Sequence, residues 1–412
     1  MSPASTAGAA GLRPLPWNRP LIGDAEIAEV VDTLRSGWLT HGPKATRLEH
    51  AVRERLGVED AFAVTSCTGA LHLAFLAAGI GPGDEVITPS LTFCAAPNAI
   101  LHTGARPVFA DVDPVTLNIT PETAEAAITS LTRAIAVMHY GGHMCDMRAF
   151  RELADRHGLL LIEDAAHALH ASRDGLRAGS AGDLSTFSLY ANKVAAAGEG
   201  GLLAGRGDLV QQARLLGRHG IDSSAWQRHG KRNTADYQVT VPGLKYVMSD
   251  LTAALAVVQY DRLAEFTERR AAIAAAYTQA FAGLPGLTTP TVLPGVEHGW
   301  FLYAALIDPG TAPLDRDQTA AALLARHQIS TSIHFKPAHT LGPYQNLAHR
   351  PLPVTETAAA RQLSLPCYPA MTAQDIDRVI EAVRGLWTRR ENTRSSPARP
   401  PDVATTSPTA AG

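Results

Sequence analysis

Cysteine is scarce: the 412-residue chain has four, at positions 67, 94, 145 and 367. None forms a CxxC pair, which excludes a zinc knuckle or a dense disulfide framework, and no metal site is expected. Well-separated thiols in a long chain predict a reduced, cytoplasmic setting. Charge is sparse too: Asp, Glu, Lys and Arg make up 18% and the net charge is −3. A chain this close to neutral is a poor candidate for general nucleic-acid binding, because neutralising phosphates takes a basic surface. No run approaches the ~20 apolar residues that cross a bilayer, so no membrane partner is expected. The first sixteen residues lack the early positive charge and apolar stretch of a signal peptide, and no repeat of solenoid period is present.

What is present is core-forming: 46% of residues are hydrophobic, which excludes global disorder. The length predicts two to four domains, or one large α/β domain with a smaller partner. Residues 1–16 and 391–412, rich in Ala, Ser and Pro, read as disordered tails. From Asp24 to Gly37, Ile27, Val30, Val31 and Leu34 follow helical spacing, and a second helix carries Leu48, Val52 and Leu56. Short apolar runs then alternate with helices: 61–64, 85–88, 107–110, 134–139, 159–162, 185–189 and 201–204. This alternation predicts an α/β large domain, residues 17–260, around a mostly parallel sheet. Residues 251–266 read as a single helix. Beyond 280, Pro/Gly-punctuated segments with helices at 315–327 and 373–389 predict a small C-terminal α+β domain, residues 261–390.

Ligands of open α/β sheets collect at the carboxyl ends of strands, and three polar segments fall there. Thr65-Ser66-Cys67-Thr68-Gly69 opens a helix whose free N–H groups suit a phosphate, although Ser and Thr cap helices in any protein. Asp164 ends a hydrophobic run with His167 one turn on; a cap with a core histidine is as good a reading for that pair alone. Lys193 follows another apolar run and precedes Gly198-Glu199-Gly200-Gly201. A desolvated lysine is a good nucleophile, yet a single lysine in a turn is most often a surface group. Together, a phosphate cradle, an aspartate and a lysine are what pyridoxal 5′-phosphate (PLP) requires: the lysine forms the Schiff base and the aspartate keeps the pyridine nitrogen protonated. Phe93, after the next run, supplies an aromatic face.

Over residues 17–388 the chain resembles the DegT/DnrJ-type sugar aminotransferases, a branch of PLP fold type I in the aspartate aminotransferase superfamily. The resemblance is carried by Ser36-Gly37-Trp38-Leu39-Thr40-His41-Gly42-Pro43, Ser66-Cys67-Thr68-Gly69-Ala70-Leu71, Pro89-Ser90-Leu91-Thr92-Phe93, His139-Tyr140-Gly141-Gly142, Glu163-Asp164-Ala165-Ala166-His167, the Lys193 segment, Gly198-Glu199-Gly200-Gly201, His334-Phe335-Lys336-Pro337-Ala338-His339 and Leu363-Ser364-Leu365-Pro366. An ordered set of motifs over most of a chain is far more specific than any one of them.

The resemblance implies a seven-stranded PLP-binding domain in which Lys193 forms the internal aldimine, Asp164 pairs with the ring nitrogen and His167 sits near the 3′-oxygen. Cys67, Thr68 and Ser188 would hold the phosphate, and Phe93 would stack on the ring. It also implies a homodimer with shared active sites, in which Gly243–Asp250 reaches the neighbour's cofactor. There the family commonly has Asn where this chain has Lys245 or Val247, so either Lys245 takes that phosphate contact or the cofactor is held less tightly. His334, Lys336 and His339 are expected to line a sugar-nucleotide cleft.

The implied activity is ping-pong transfer of an amino group from L-glutamate to a nucleotide-linked keto sugar, a 4-keto-6-deoxy sugar on the pattern of these motifs, in a setting such as antibiotic or surface-glycan assembly. Amination of a cyclitol ketone and aminobenzoate formation are the alternatives within the same chemistry. A PLP sugar dehydratase carries histidine in place of the lysine, and a non-catalytic regulatory homologue would not be expected to retain the Lys193/Asp164 pair.

Overall fold

A computed structural model describes residues 12–222 and 237–388. The expected tail at 391–412, and most of that at 1–16, lie outside the described residues. Residues 12–16 do not behave as a tail: Leu15 is buried and bridges Ile329, its N–H donating to the Gln328 carbonyl at 2.8 Å.

The strands run β1 (Asp60–Val64), β2 (Glu85–Pro89), β3 (Arg106–Ala110), β4 (Thr132–Met138), β5 (Leu160–Asp164), β6 (Ser172–Arg173), β7 (Leu176–Arg177), β8 (Leu184–Ser188), β9 (Gly201–Gly205), β10 (Leu287–Thr288), β11 (Val296–Glu297), β12 (Tyr303–Ile307) and β13 (Gln362–Leu365). Seven of them form one sheet in the order β1-β9-β8-β5-β4-β2-β3. Pairing is parallel from β8 to β3, and only β9 opposes its neighbours. Each of the seven apolar runs is one of these strands. They are apolar on both faces because helices cover both. Alternate residues accordingly enter different cores: Leu161 and Ile135 pack on one side of the sheet, Ile162 and Ala134 on the other.

The helices are α1 (Asp24–Ser36), α2 (Pro43–Leu56), α3 (Cys67–Ala77), α4 (Ala95–His102), α5 (Pro121–Glu125), α6 (Met147–His157), α7 (Gly207–Leu216), α8 (Asp250–Asp261), α9 (Leu263–Phe281), α10 (Arg316–His327), α11 (Pro353–Arg361) and α12 (Ala373–Thr388). The single helix expected over 251–266 is in fact two. They meet at Arg262, where the chain leaves the α1/α2 surface that packs on α8. Beyond it, α9 contributes Ile273, Ala274, Tyr277 and Phe281 to a separate core shared with β12, β13, α10 and α12. The helix α11 carries only a weak local signal, because the acceptor that caps it is distant in sequence: Asp111 takes the N–H groups of Val354 and Thr355. Among the described residues no helix is long and apolar enough to cross a membrane.

Candidate active site

Because β1, β8, β5, β4 and β2 point the same way, their carboxyl ends share one edge of the sheet, and a cavity of about 610 Å³ opens there. β1 leads into α3. Ser66 caps that helix, its Oγ accepting from Gly69 N at 3.0 Å. The N–H groups of Cys67 and Thr68, at the positive end, have no acceptor within the helix and lie beside the cavity. Only glycine fits at 201: a Cβ there would overlap the Ser66 carbonyl carbon and the Cys67 nitrogen. Gly201 thus lets β9 press against the helix start.

β5 delivers Asp164, whose Oδ1 accepts from Ala166 N at 3.1 Å. Burial raises this carboxyl above its ordinary value, against the pull of the Ala166 N–H and the Lys193 charge. Lys193 reaches the same cavity from the turn after β8. Burial lowers its amine to about 8, opposed by Cys67 and Asp164. Its Nζ lies 4.1 Å from the centre of the Phe301 ring. Burial, and then the Asp164 charge, push the Cys67 thiol far up, so Cys67 contributes its backbone rather than a thiolate.

His167 is also buried, with its pKa well below the usual value because of desolvation and then the Lys193 and His334 charges. Gly141 N donates to its Nδ1 at 3.3 Å, which leaves Nε2 as the protonated nitrogen of a neutral ring. Ser188 ends β8 at the cavity, its Oγ accepting from Tyr190 N. Phe93 forms the outer wall, 5.8 Å from Phe335 between ring centres.

Lys193, Asp164, His167, Cys67, Thr68, Ser188, Phe93 and His334 therefore line one cavity. Two of the expected sugar-contacting residues do not. Lys336 is exposed outside the lining. His339 is buried in a structural role: Ser90 Oγ lies 2.7 Å from its Nδ1, Glu356 lies 3.3 Å from its Nε2, and its N–H donates back to Ser90. His334 has its Nδ1 2.9 Å from Ser364 Oγ, and burial lowers it to about 3. Lys245 is exposed, bridges Arg218 and lies outside the cavity of its own chain. Sequence reasoning missed Phe301, Ser332 and Ile333 in the lining. Phe301 precedes β12 in the other core's sheet, so a rule that looks at carboxyl ends of the main sheet passes it by.

A buried carboxylate in need of a cation, a desolvated amine facing the same space and free N–H groups at a helix start fit PLP. Residues 20–384 match the DegT/DnrJ/EryC1/StrS aminotransferase family. The spore coat polysaccharide biosynthesis protein SpsC of Bacillus subtilis is 45% identical over 376 residues, 90% of this chain and 97% of that protein. The structure of DesI solved with its TDP-sugar product has a TM-score of 0.84 at 35% identity, covering 94% of this chain and 96% of that one. The PMP form of Spr1654 from Streptococcus pneumoniae has a TM-score of 0.85 at 28% identity, covering 91% and 99%; that protein is also known in a PLP form.

Proposed function

Since the chain belongs to the DegT/DnrJ/EryC1/StrS aminotransferase family and is a PLP-dependent aminotransferase, we propose that it moves an amino group from L-glutamate to a nucleotide-linked keto sugar, with a 4-keto-6-deoxy sugar as the favoured acceptor. The observation that carries the reading is the presence of the Lys193 amine and the Asp164 carboxylate in one cavity large enough for more than a cofactor. The DesI structure with a TDP-sugar product and the polysaccharide role in SpsC's name support the acceptor class.

Bound PLP supplies an electron sink for the carbon that gains or loses nitrogen. The chain's own groups do the rest. With its pKa lowered to about 8, Lys193 exists in both neutral and protonated forms near neutral pH, so Nζ can take a proton from one carbon and return it to the next. Asp164, costly to bury alone, would pair with the protonated ring nitrogen. His167, protonated at Nε2, would donate from there to the 3′-oxygen of the bound cofactor. The Cys67 and Thr68 N–H groups, with the Thr68 and Ser188 hydroxyls, would hold the phosphate. Phe93 covers the ring. From this chain, the sugar meets His334 and Ser332 rather than His339.

The proposal includes a homodimer. Phe93 and Tyr190 are 56% and 46% exposed at the cavity mouth, where a second copy would cover them, and an exposed Lys245 is available to that copy's phosphate.

Two measurements test the reading. Lys193→Ala should abolish turnover together with the visible absorbance of lysine-bound PLP; retained multiple turnover would refute the role of this amine. Across dTDP-, UDP- and GDP-linked keto sugars plus a cyclitol ketone, glutamate should be consumed with a sugar nucleotide. Consumption with the cyclitol ketone alone would overturn the acceptor class.

A further inference from the structure

Arg270 is 1% exposed, yet none of its hydrogen bonds goes to a carboxylate. Its Nη1 donates to three main-chain carbonyls: Trp300 at 3.4 Å, Phe301 at 3.3 Å and Cys367. Burial lowers it to about 10, with Cys367 opposing, and it remains a cation at neutral pH. A buried guanidinium is costly, and this one is spent on fixing two consecutive residues, Trp300 and Phe301, against the segment that follows β13. Trp300 has a positive φ of 47°, so the turn it makes is not one that a tryptophan adopts freely.

The consequence is visible at Phe301. One clamped residue presents its ring to the two reactive side chains: its centre lies 4.1 Å from Lys193 Nζ and 4.3 Å from the His167 ring, tilted by 40°. An ammonium over an aromatic face within about 6 Å is attracted by the ring's negative quadrupole, more strongly when water is excluded. The other ionisable groups facing the amine are Cys67 on α3, Asp164 on β5, and His167 and His334, which burial keeps neutral near pH 7; Tyr190 and Glu199, on either side of the Lys193 turn, line the same cavity. Phe301 is 2% exposed, so its ring has little freedom to leave the amine.

The geometry points to Phe301 as a second seat for Lys193: the ring face holds the ammonium whenever the amine is not bonded to the cofactor, and Arg270 is the positioning residue that presents that face. The amine thereby stays beside the reacting carbon while it carries a proton. The ring also offsets part of the loss of charge stability that burial imposes. This inference rests on Lys193 as the reactive amine, but its test uses neither amino donor nor acceptor.

Cofactor-free full-length protein is mixed with PLP, and the rate of appearance of lysine-bound absorbance is followed against pH. The neutral amine adds to the PLP aldehyde and water leaves, so the midpoint of the rate profile reports the Lys193 ammonium. The wild-type midpoint is expected at about 8. Phe301→Leu keeps the site apolar but removes the quadrupole, and should lower the midpoint by about half to one unit. Phe301→Tyr keeps the ring and should leave it in place. Arg270→Met should shift it in the same direction as Phe301→Leu, with no further shift in the double variant.

A wild-type midpoint in Phe301→Leu reduces Phe301 to a space filler and overturns the inference. A folded Arg270→Met with a wild-type midpoint removes Arg270 from it. If Arg270→Met does not fold by circular dichroism, the two Phe301 variants decide the matter. Lysine-bound absorbance persisting in Lys193→Ala would instead strike at the underlying reading of the amine.

Discussion

Glu163 and Asp164 are consecutive in sequence and opposite in role. A strand sends neighbouring side chains to opposite faces, so Asp164 meets the cavity while Glu163 faces into the protein. There Glu163 Oε2 lies 2.9 Å from His139 Nε2, and its oxygens accept from the N–H groups of Gly179, Ala181 and Gly182 at 2.6–2.9 Å. Burial alone would raise this carboxyl; the His139 bond and charge and the backbone donors outweigh it and hold it below its ordinary value. Glu163→Gln should lower the free energy of unfolding by about 3 kcal/mol at neutral pH, measured by urea denaturation. Because the folded-state pKa is depressed, the carboxylate's contribution is fully present above the unfolded value and is lost as pH falls through the folded one. The gap between wild type and variant should therefore narrow below about pH 4; a gap independent of pH would mean that the ionised form is not what stabilises the fold. At this scale Lys193 and Asp164 were legible because strand ends announce themselves in sequence. His339 was not, because its partners Ser90 and Glu356 come from separate segments. Ser90 also accepts from Ala338 N through its carbonyl at 2.8 Å. Through this contact the segment carrying Phe93 is docked to the one carrying His334 and Phe335.

Elements were easier to read than side chains. All seven strands of the main sheet show as apolar runs, since burial on both faces removes the polar alternation that blurs an edge strand. The helix break at Arg262 was hidden because both halves keep apolar residues at helical spacing, and α11 was hidden because Asp111, far away in the chain, caps it. The approach of β9 to α3 shows how an element contact shapes the site. Gly201→Ala places a methyl group on backbone atoms of Ser66 and Cys67, neither of which can swing aside as a side chain would. The N-terminus of α3 must shift, taking its phosphate-facing N–H groups with it. The expected result is PLP affinity weakened by about tenfold or more, read by absorbance titration, with a far smaller change at a control such as Gly385→Ala, where added atoms meet nothing within 4 Å. Unchanged affinity in Gly201→Ala would show that the helix start does not grip the phosphate.

At the scale of the whole molecule, the helical spacing of Ile27, Val30, Val31 and Leu34 locates α1 but does not say which of its sides meets the chain's own core. The fully buried residues of α1 are polar, Glu26 and Thr33, while Val30 and Val31 are half-buried. Glu26 is 1% exposed, and its carboxylate accepts from Gly23 N, Gln259 Nε2 and Arg262 Nη1, all at 2.8 Å. Thr33 is buried on the same side, which leaves Ile27 and Leu34 at 57% and 53% exposure. Ile22 and Leu39, just outside the helix ends, are exposed as well. Exposed apolar side chains on a helix already satisfied on its inner side call for a cover, and in the proposed homodimer a second copy would provide it. Replacing both Ile27 and Leu34 with Glu puts like charges across that contact while touching nothing in the chain's own core. In light scattering at micromolar concentration the wild type should have twice the mass of the chain and the double variant the mass of one. Since Phe93 and Tyr190 at the cavity mouth would lose their cover as well, the variant should also bind PLP more weakly at unchanged secondary structure. A variant that stays dimeric would move the interface to another face, and a wild type that runs as a monomer would remove the shared active site from the proposal.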